Sequence, residues 1–267
     1  MPGLSGIPDL GTLFSGQLQI FVLVLARMTA VMSLLPVFGS QAVPVRVRPV
    51  LAILLAFLLF PLLPHREWAL PTGVPAYMLL VLREAILGVI TGYVLSLSFL
   101  ALESAGSLID SAAGFSMVEL FDPMTGMPAA LFGQFLSICA SVAFVLGGGH
   151  LHLLRILADS YRIAPLGEVR LEASALVPQL VEVLIASFLI GLQLAGAVLM
   201  ALLLLTLVLA VLSRVMPSMN VWIISMPLQI VTACFVTGVS LPWILEGFRG
   251  WHEHLVNTSL TLLGKMH

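Results

Sequence analysis

Three acidic side chains, Glu84, Glu103 and Asp110, stand inside otherwise apolar sequence and are the groups best placed to do chemistry in this chain. Two of them belong to a set at three- and four-residue spacing, which places the set on one helical face: Glu103, Gly106, Ser107, Asp110, Ala113 and Gly114. Paired carboxylates can transfer protons, but no His or Lys lies near in sequence to complete a relay. A carboxylate in a bilayer costs about 2.5–3.5 kcal/mol and is kept where it has a partner. We therefore predict that these carboxylates bond to helix ends and to Arg or Ser groups in an assembly.

Large apolar side chains follow this face on a segment that cannot form one regular helix, because glycines, prolines and Asp122 interrupt it. The side chains concerned are Phe115, Met117, Leu120, Phe121, Met124 and Met127. Methionine is flexible and re-packs around varied surfaces, which suits a deformable plug. The same composition also suits a loop that fills a gap in a core, and composition alone favours that second interpretation.

The remaining motifs define no reactive site. The chain lacks a Gly-x-Ser-x-Gly elbow and a His-Glu-x-x-His pair. The run from Gly147 to Gly149 lacks the Lys-Ser/Thr of a phosphate loop and predicts a helix break. Two histidine pairs have a spacing unsuited to a metal and are predicted to be polar helix-end or tail residues: His150, His152, His252 and His254. We expect no catalytic residue, cofactor or metal, and no enzyme.

The composition is that of a membrane protein. Apolar residues make up 60% of the 267 residues and charged residues only 9%, whereas about a quarter of the residues in soluble domains are charged. A net charge of −2 with scattered basic residues excludes a nucleic-acid partner. The first residues carry no Lys or Arg, so we expect no cleavable signal peptide and keep the first apolar block in the mature protein.

The elements that must position these residues are helices. Apolar runs of membrane-spanning length predict an all-α, polytopic integral membrane protein with about six apolar helices arranged as hairpins. The predicted helices lie near 17–36, 47–63, 74–102, 129–147, 176–212 and 221–247. Residues 155–172 are predicted to form the most polar connection. The fifth run exceeds what one crossing requires, which predicts a long tilted helix or one that is not simply threaded.

Five segments together resemble the FliR family, the flagellar member of the type III secretion export-gate proteins. The resemblance is carried by GFSMVELFDPMTGMPAALFGQF at 114–135, GGGHLHLLRILADSYRIAPLG at 147–167, REAILGVITG at 83–92, ESAGSLID at 103–110 and SRVMPSMNVWIISMPLQI at 213–230. Each motif alone is weak, but their order and spacing are specific. The match in the central segment favours the flagellar system over the related injectisome.

The resemblance implies a subunit of the flagellar export gate in the bacterial inner membrane, within the flagellar basal body. It implies a FliP-like part at 1–173 and a FliQ-like helical hairpin with a tail at 174–267. The implied partners are FliP-like and FliQ-like subunits in a helical spiral, a FlhB-like subunit and exported unfolded flagellar proteins. The implied channel is blocked by a loop of this chain, about 114–128, and by methionines of the FliP-like subunit.

By position, the resemblance assigns the plug to Gly114, Phe115, Ser116, Met117, Leu120, Phe121, Asp122, Pro123, Met124 and Met127. It assigns polar and packing contacts between helices to Glu84, Gly88, Gly92, Glu103, Gly106, Asp110, Arg214, Pro217, Asn220 and Pro227. The chain departs from the family at Gln229, where family members often have a basic residue, and at Ser218, where they often have Gln. The alternatives are a secondary transporter or ion channel that uses Asp110 and Glu103 as a coupling site, and an injectisome subunit.

Overall fold

The computed structural model describes residues 10–39, 44, 46–63, 73–115, 130–166, 173–218 and 220–264. All regular structure within these ranges is helical, which confirms the predicted all-α class. The helices are α1 (Leu10–Leu34), α2 (Pro36–Gly39), α3 (Val47–Leu59) continued by a 3-10 turn (Phe60–Leu62), α4 (Val74–Ala112), α5 (Leu131–Leu146), α6 (Gly149–Ile163), α7 (Ala173–Val215) and α8 (Val221–Gly264).

Helix α6 corrects one prediction, because much of it falls in the segment predicted to be a polar connection. The left-handed backbone of Gly148, with φ of +72°, ends α5 and lets a new helix begin. One face of α6 then recurs at three- and four-residue spacing and is buried: Leu153, Ile156, Leu157, Ser160 and Tyr161. His152 and Arg155 are exposed on the other side. An amphipathic helix of this kind has a low mean hydropathy, so apolar length alone does not reveal it.

Within the described residues, four helices are long and apolar enough to cross a membrane: α1, α4, α7 and α8. Helices α5 and α6 together make a fifth crossing if the pair is one broken span, whereas α3 is apolar but has only 13 residues. Helices α7 and α8 have 43 and 44 residues. At 1.5 Å per residue each is about 65 Å long, more than twice the hydrocarbon thickness of about 30 Å. A straight crossing therefore uses less than half of either helix.

The chain packs as two compact units, which cut across the predicted division at residue 173. The first unit comprises residues 1–96, 148–178 and 256–267, and the second comprises residues 97–147 and 179–255. The division into FliP-like and FliQ-like parts follows the resemblance and stays a prediction. In the first unit, α1 packs against α3 and against the first half of α4. Leu23 and Met28 of α1 and Leu87 of α4 are fully buried.

Glycines bring helices close together in both units. In the first unit, a Cβ at Gly88 would overlap the carbonyl oxygen of Arg27, and one at Gly92 would lie 2.9 Å from the carbonyl oxygen of Val31. In the second unit, a Cβ at Gly106 on α4 would overlap the backbone of Gly133 on α5. Helices that associate without a hydrophobic driving force gain from such close backbone packing.

Candidate functional site

Asp110, near the end of α4, caps the beginning of α5. Its Oδ1 accepts the backbone N–H of Phe132 at 2.9 Å, and its Oδ2 accepts that of Gly133 at 3.0 Å. Both donors belong to the first turn of α5, whose N–H groups have no partner within the helix. A carboxylate at this position also interacts favourably with the positive end of the helix dipole. Asp110 is 5% exposed, so its charge is held by donors from a second helix.

The backbone of the same residue holds the end of α4. The N–H of Phe115 donates to the carbonyl oxygen of Asp110 at 3.0 Å, and the N–H of Gly114 donates to that of Ser111 at 3.3 Å. Gly114 adopts the left-handed conformation, with φ of +85°. These bonds form a Schellman motif, which ends a helix and satisfies its last carbonyls. Asp110 thus binds residue 115 through its main chain and residues 132 and 133 through its side chain.

The end of α4 and the beginning of α5 therefore meet at Asp110. This junction, formed by Gly106, Asp110, Phe115, Phe132 and Gly133, is here called the loop base. The rings of Phe115 and Phe132 meet edge to face there with centroids 6.0 Å apart, and Gly106 lies against Gly133. The predicted plug begins at the loop base. Of the predicted plug residues, only Gly114 and Phe115 are within the described part of the chain. The others lie outside it: Ser116, Met117, Leu120, Phe121, Asp122, Pro123, Met124 and Met127.

Gln229 of α8 lies beside the loop base. A Cβ added to Gly114 would be 3.6 Å from its Oε1, and its Nε2 is 3.5 Å from Oγ1 of Thr206 on α7. The latter distance is at the limit of a hydrogen bond. The position at which the resemblance expects a basic side chain therefore carries a neutral amide with weak polar contacts.

Glu84 finds its partner in Arg27 of α1, within the first unit. The Nη2 atom of Arg27 is 2.7 Å from Oε2 of Glu84, and both side chains are 1% exposed. Arg27 also donates to Oγ of Ser160 at 3.1 Å and to the carbonyl oxygen of Ala164 at 3.3 Å. Its guanidinium lies 4.2 Å from the centroid of the Tyr161 ring, a favourable cation–π arrangement. Arg27 therefore joins α1, α4 and the end of α6.

Sequence reasoning missed Arg27. A single basic residue in the middle of an apolar helix was the available signal, since such a residue almost always faces a protein interior and a partner. Arg83, the sequence neighbour of Glu84, is exposed. Adjacent residues on a helix point in different directions, so proximity in sequence did not identify the partner.

The other predicted contact residues do not join these clusters. Glu103 is exposed on α4, although Gly106 and Asp110 on the same helix are buried. Four further predicted residues are exposed at the α7–α8 connection or within α8: Arg214, Pro217, Asn220 and Pro227. The connection between Val215 and Val221 is short, as the predicted ends of these two helices near 212 and 221 require.

His252 corrects the prediction of a polar helix-end or tail residue. In the second unit it is 7% exposed, and its Nδ1 is 3.0 Å from Oγ of Ser98. Three aromatic rings surround it, with centroids between 5.2 and 6.4 Å from that of the imidazole: Phe99, Phe144 and Phe248. Among the residues that the structure describes, no three His, Cys, Asp or Glu side chains come together as a metal-binding group. His252 packs as part of an aromatic core.

The two buried carboxylates hold structure together. Both oxygens of Asp110 accept backbone N–H groups, and Glu84 accepts from a guanidinium. Each carboxylate is thus bound by donors from another helix, which favours a structural role.

Comparison with known proteins places the chain among bacterial export proteins. The profile of the family described as "bacterial export proteins, family 1" matches residues 18–255. The chain is 30% identical over 237 residues to flagellar biosynthetic protein FliR of Pectobacterium carotovorum subsp. carotovorum, covering 89% of this chain and 88% of that protein. It is 27% identical over 250 residues to the FliR protein of Escherichia coli strain K12, covering 92% of each. It is 31% identical over 222 residues to Yop proteins translocation protein T of Yersinia pestis, covering 81% of this chain and 84% of that protein.

Proposed function

The chain belongs to family 1 of the bacterial export proteins, and we propose that it is a subunit of the export gate of the flagellar type III secretion apparatus in the bacterial inner membrane. Flagellar proteins of the FliR type match it over about nine tenths of its length. The injectisome is the alternative system, because Yop proteins translocation protein T also matches it. The chain itself would supply part of a protein-conducting channel and no chemical step.

The loop base is the observation that carries the channel assignment. One buried residue, Asp110, binds both ends of a segment rich in Phe and Met. A barrier that admits chemically varied polypeptides and still retains ions needs apolar groups that exclude water and rearrange. Methionine and phenylalanine on a backbone interrupted by glycine and proline have these properties. We propose that residues 114–128 form the seal of the resting channel.

The lengths of α7 and α8 support assembly with other chains. Large apolar side chains are exposed along both helices, including Leu203, Val211, Phe235 and Val239, each more than half exposed. Lipid tails cover only about 30 Å of a helix that is about 65 Å long. The remaining apolar surface needs a protein cover, which FliP-like and FliQ-like subunits in a spiral would supply, with a FlhB-like subunit beside them.

Two measurements in the native bacterium test this proposal. Removing the gene should abolish the export of flagellar rod and hook proteins while export through any injectisome continues; the opposite pattern identifies an injectisome subunit. A tagged chain extracted in mild detergent should be recovered in one large complex with FliP-like and FliQ-like chains. A stable monomer that is fully active in reconstituted transport contradicts the proposal.

A further inference from the structure

We infer that the loop base stays closed throughout transport, so that opening of the gate does not separate α4 from α5 at Asp110. This inference rests on the proposed function and concerns its mechanism. A gate of this kind can open by rearrangement of a loop or by the spreading of helices. The contacts at the loop base distinguish between these two mechanisms.

The first reason is that Asp110 binds the end of α4 and the beginning of α5 at once. Separating α4 from α5 would remove both N–H donors from its carboxylate, one from each oxygen. The carboxylate would lose its partners in a position that is 5% exposed. The first turn of α5 would lose the acceptor of two N–H groups that have no alternative within the helix. An unpaired buried charge is among the most costly defects in a protein interior.

The second reason is that the apolar contacts at the same place are dense. Gly106 and Gly133 allow the backbones of α4 and α5 to touch. Both helices also carry buried apolar side chains close to this contact in sequence: Ile109 and Leu136 are 0% exposed, and Ala113 is 1% exposed. Separation would also uncover this apolar surface, so the apolar cost adds to that of the lost hydrogen bonds.

The contact of the loop base with α8 is of a different kind. Gln229 offers Gly114 only a van der Waals approach, and its bond to Thr206 is long at 3.5 Å. Neither group is charged. Loss of the Gln229 contact alone would therefore cost less than separation of α4 from α5.

A cross-link across the loop base tests the inference in the assembled complex. Cys139 and Cys234 are replaced by Ala, and Ser107→Cys on α4 is combined with Gly133→Cys on α5, because a Cβ at Gly133 would lie 3.6 Å from the backbone nitrogen of Ser107. Oxidation of cells after assembly should link the two thiols. If the two thiols do not oxidise to a disulfide, the shortest bis-methanethiosulfonate reagent is used to link them. The linked fraction is measured by maleimide labelling with and without reductant. The two single-cysteine variants receive the same treatment as controls.

The export rate of a flagellar substrate is then compared before and after linking. The inference predicts a change of less than about twofold, because the junction does not open. A fall of tenfold or more that reductant reverses, and that the single-cysteine controls lack, overturns it. The proposed function fails separately, namely when deleting the whole chain leaves flagellar export unchanged. The two failures are thus distinguishable.

Discussion

The guanidinium of Arg27 on α1 lies 2.7 Å from the carboxylate of Glu84 on α4, and water is excluded from both. A buried pair of this kind is weak evidence for stability as such, because desolvation offsets much of the attraction. Removal of one partner is more costly, since it breaks a buried ion pair and leaves the other charge in the interior without that bond. The pair therefore fixes which surface of α1 meets α4, and the close approach at Gly88 depends on that choice.

Replacing Arg27 with Met should destabilise the chain by about 3–5 kcal/mol, because Glu84 would lose this buried ion pair. The double variant Arg27→Met with Glu84→Met should recover much of that loss, since neither charge of the pair remains. Stability is measured as resistance to heat or protease in the detergent-solubilised complex. Arg83→Met, at an exposed neighbouring position, is the control and should change stability by about 0.5 kcal/mol or less. Equal losses in the single and double variants would contradict the pairing.

Asp110 is expected to act as a structural partner and not as a proton carrier. Asp110→Asn keeps the shape and one acceptor oxygen but loses the titrating group, whereas Asp110→Leu loses every acceptor. The Asn variant should assemble and export with a stability loss of about 0.5–2 kcal/mol, the usual range for a weakened cap. The Leu variant should fail to assemble. Glu103→Gln, on the same helix but exposed, should behave like the unaltered chain. An Asn variant that assembles normally and is inactive in export would favour the transporter alternative.

The contact between Gly106 and Gly133 should not tolerate a side chain. Gly106→Ala places a methyl group against the backbone of α5, so the two helices must move apart, at a cost of about 1–3 kcal/mol. Gly196→Ala is the matched control, because it lies within a helix with nothing within 4 Å of its added Cβ. That change should leave stability unaltered or raise it by up to about 1 kcal/mol. Thermal unfolding of the two purified complexes measures the difference, and similar midpoints would contradict the close packing.

The helices were predictable because apolar length is a strong signal in a membrane protein. The long runs of α4, α7 and α8 and the break at Gly148 follow from it. Helix α6 was missed because its apolar side chains occupy only one face. Asp110 was expected to bond to a helix end, and its spacing from Gly106 indicated the shared face. That its partner is the start of α5 depends on where the chain returns after residue 115, which no local pattern specifies.

Pairs of residues that are distant in sequence could not be predicted, for the same reason. Arg27 and Glu84 are separated by 57 positions, and Ser98 and His252 by 154. Composition identifies such residues as needing partners, but tertiary packing decides which ones they receive. The role of the predicted plug was likewise not derivable from composition, because only the resemblance to the family supplied it.

The ion conductance of the assembled gate tests the central claim most directly. Phe115→Ser combined with Met117→Ser, or a shortening of the loop within residues 116–127, removes apolar groups from the proposed seal while Asp110 remains in place. Val142→Ser, at an exposed position of α5, is the control. We predict that the loop variants assemble and conduct ions at rest, and that the control stays closed. Loop variants that assemble normally, export normally and conduct no more than the unaltered complex would show that the loop only fills a core gap.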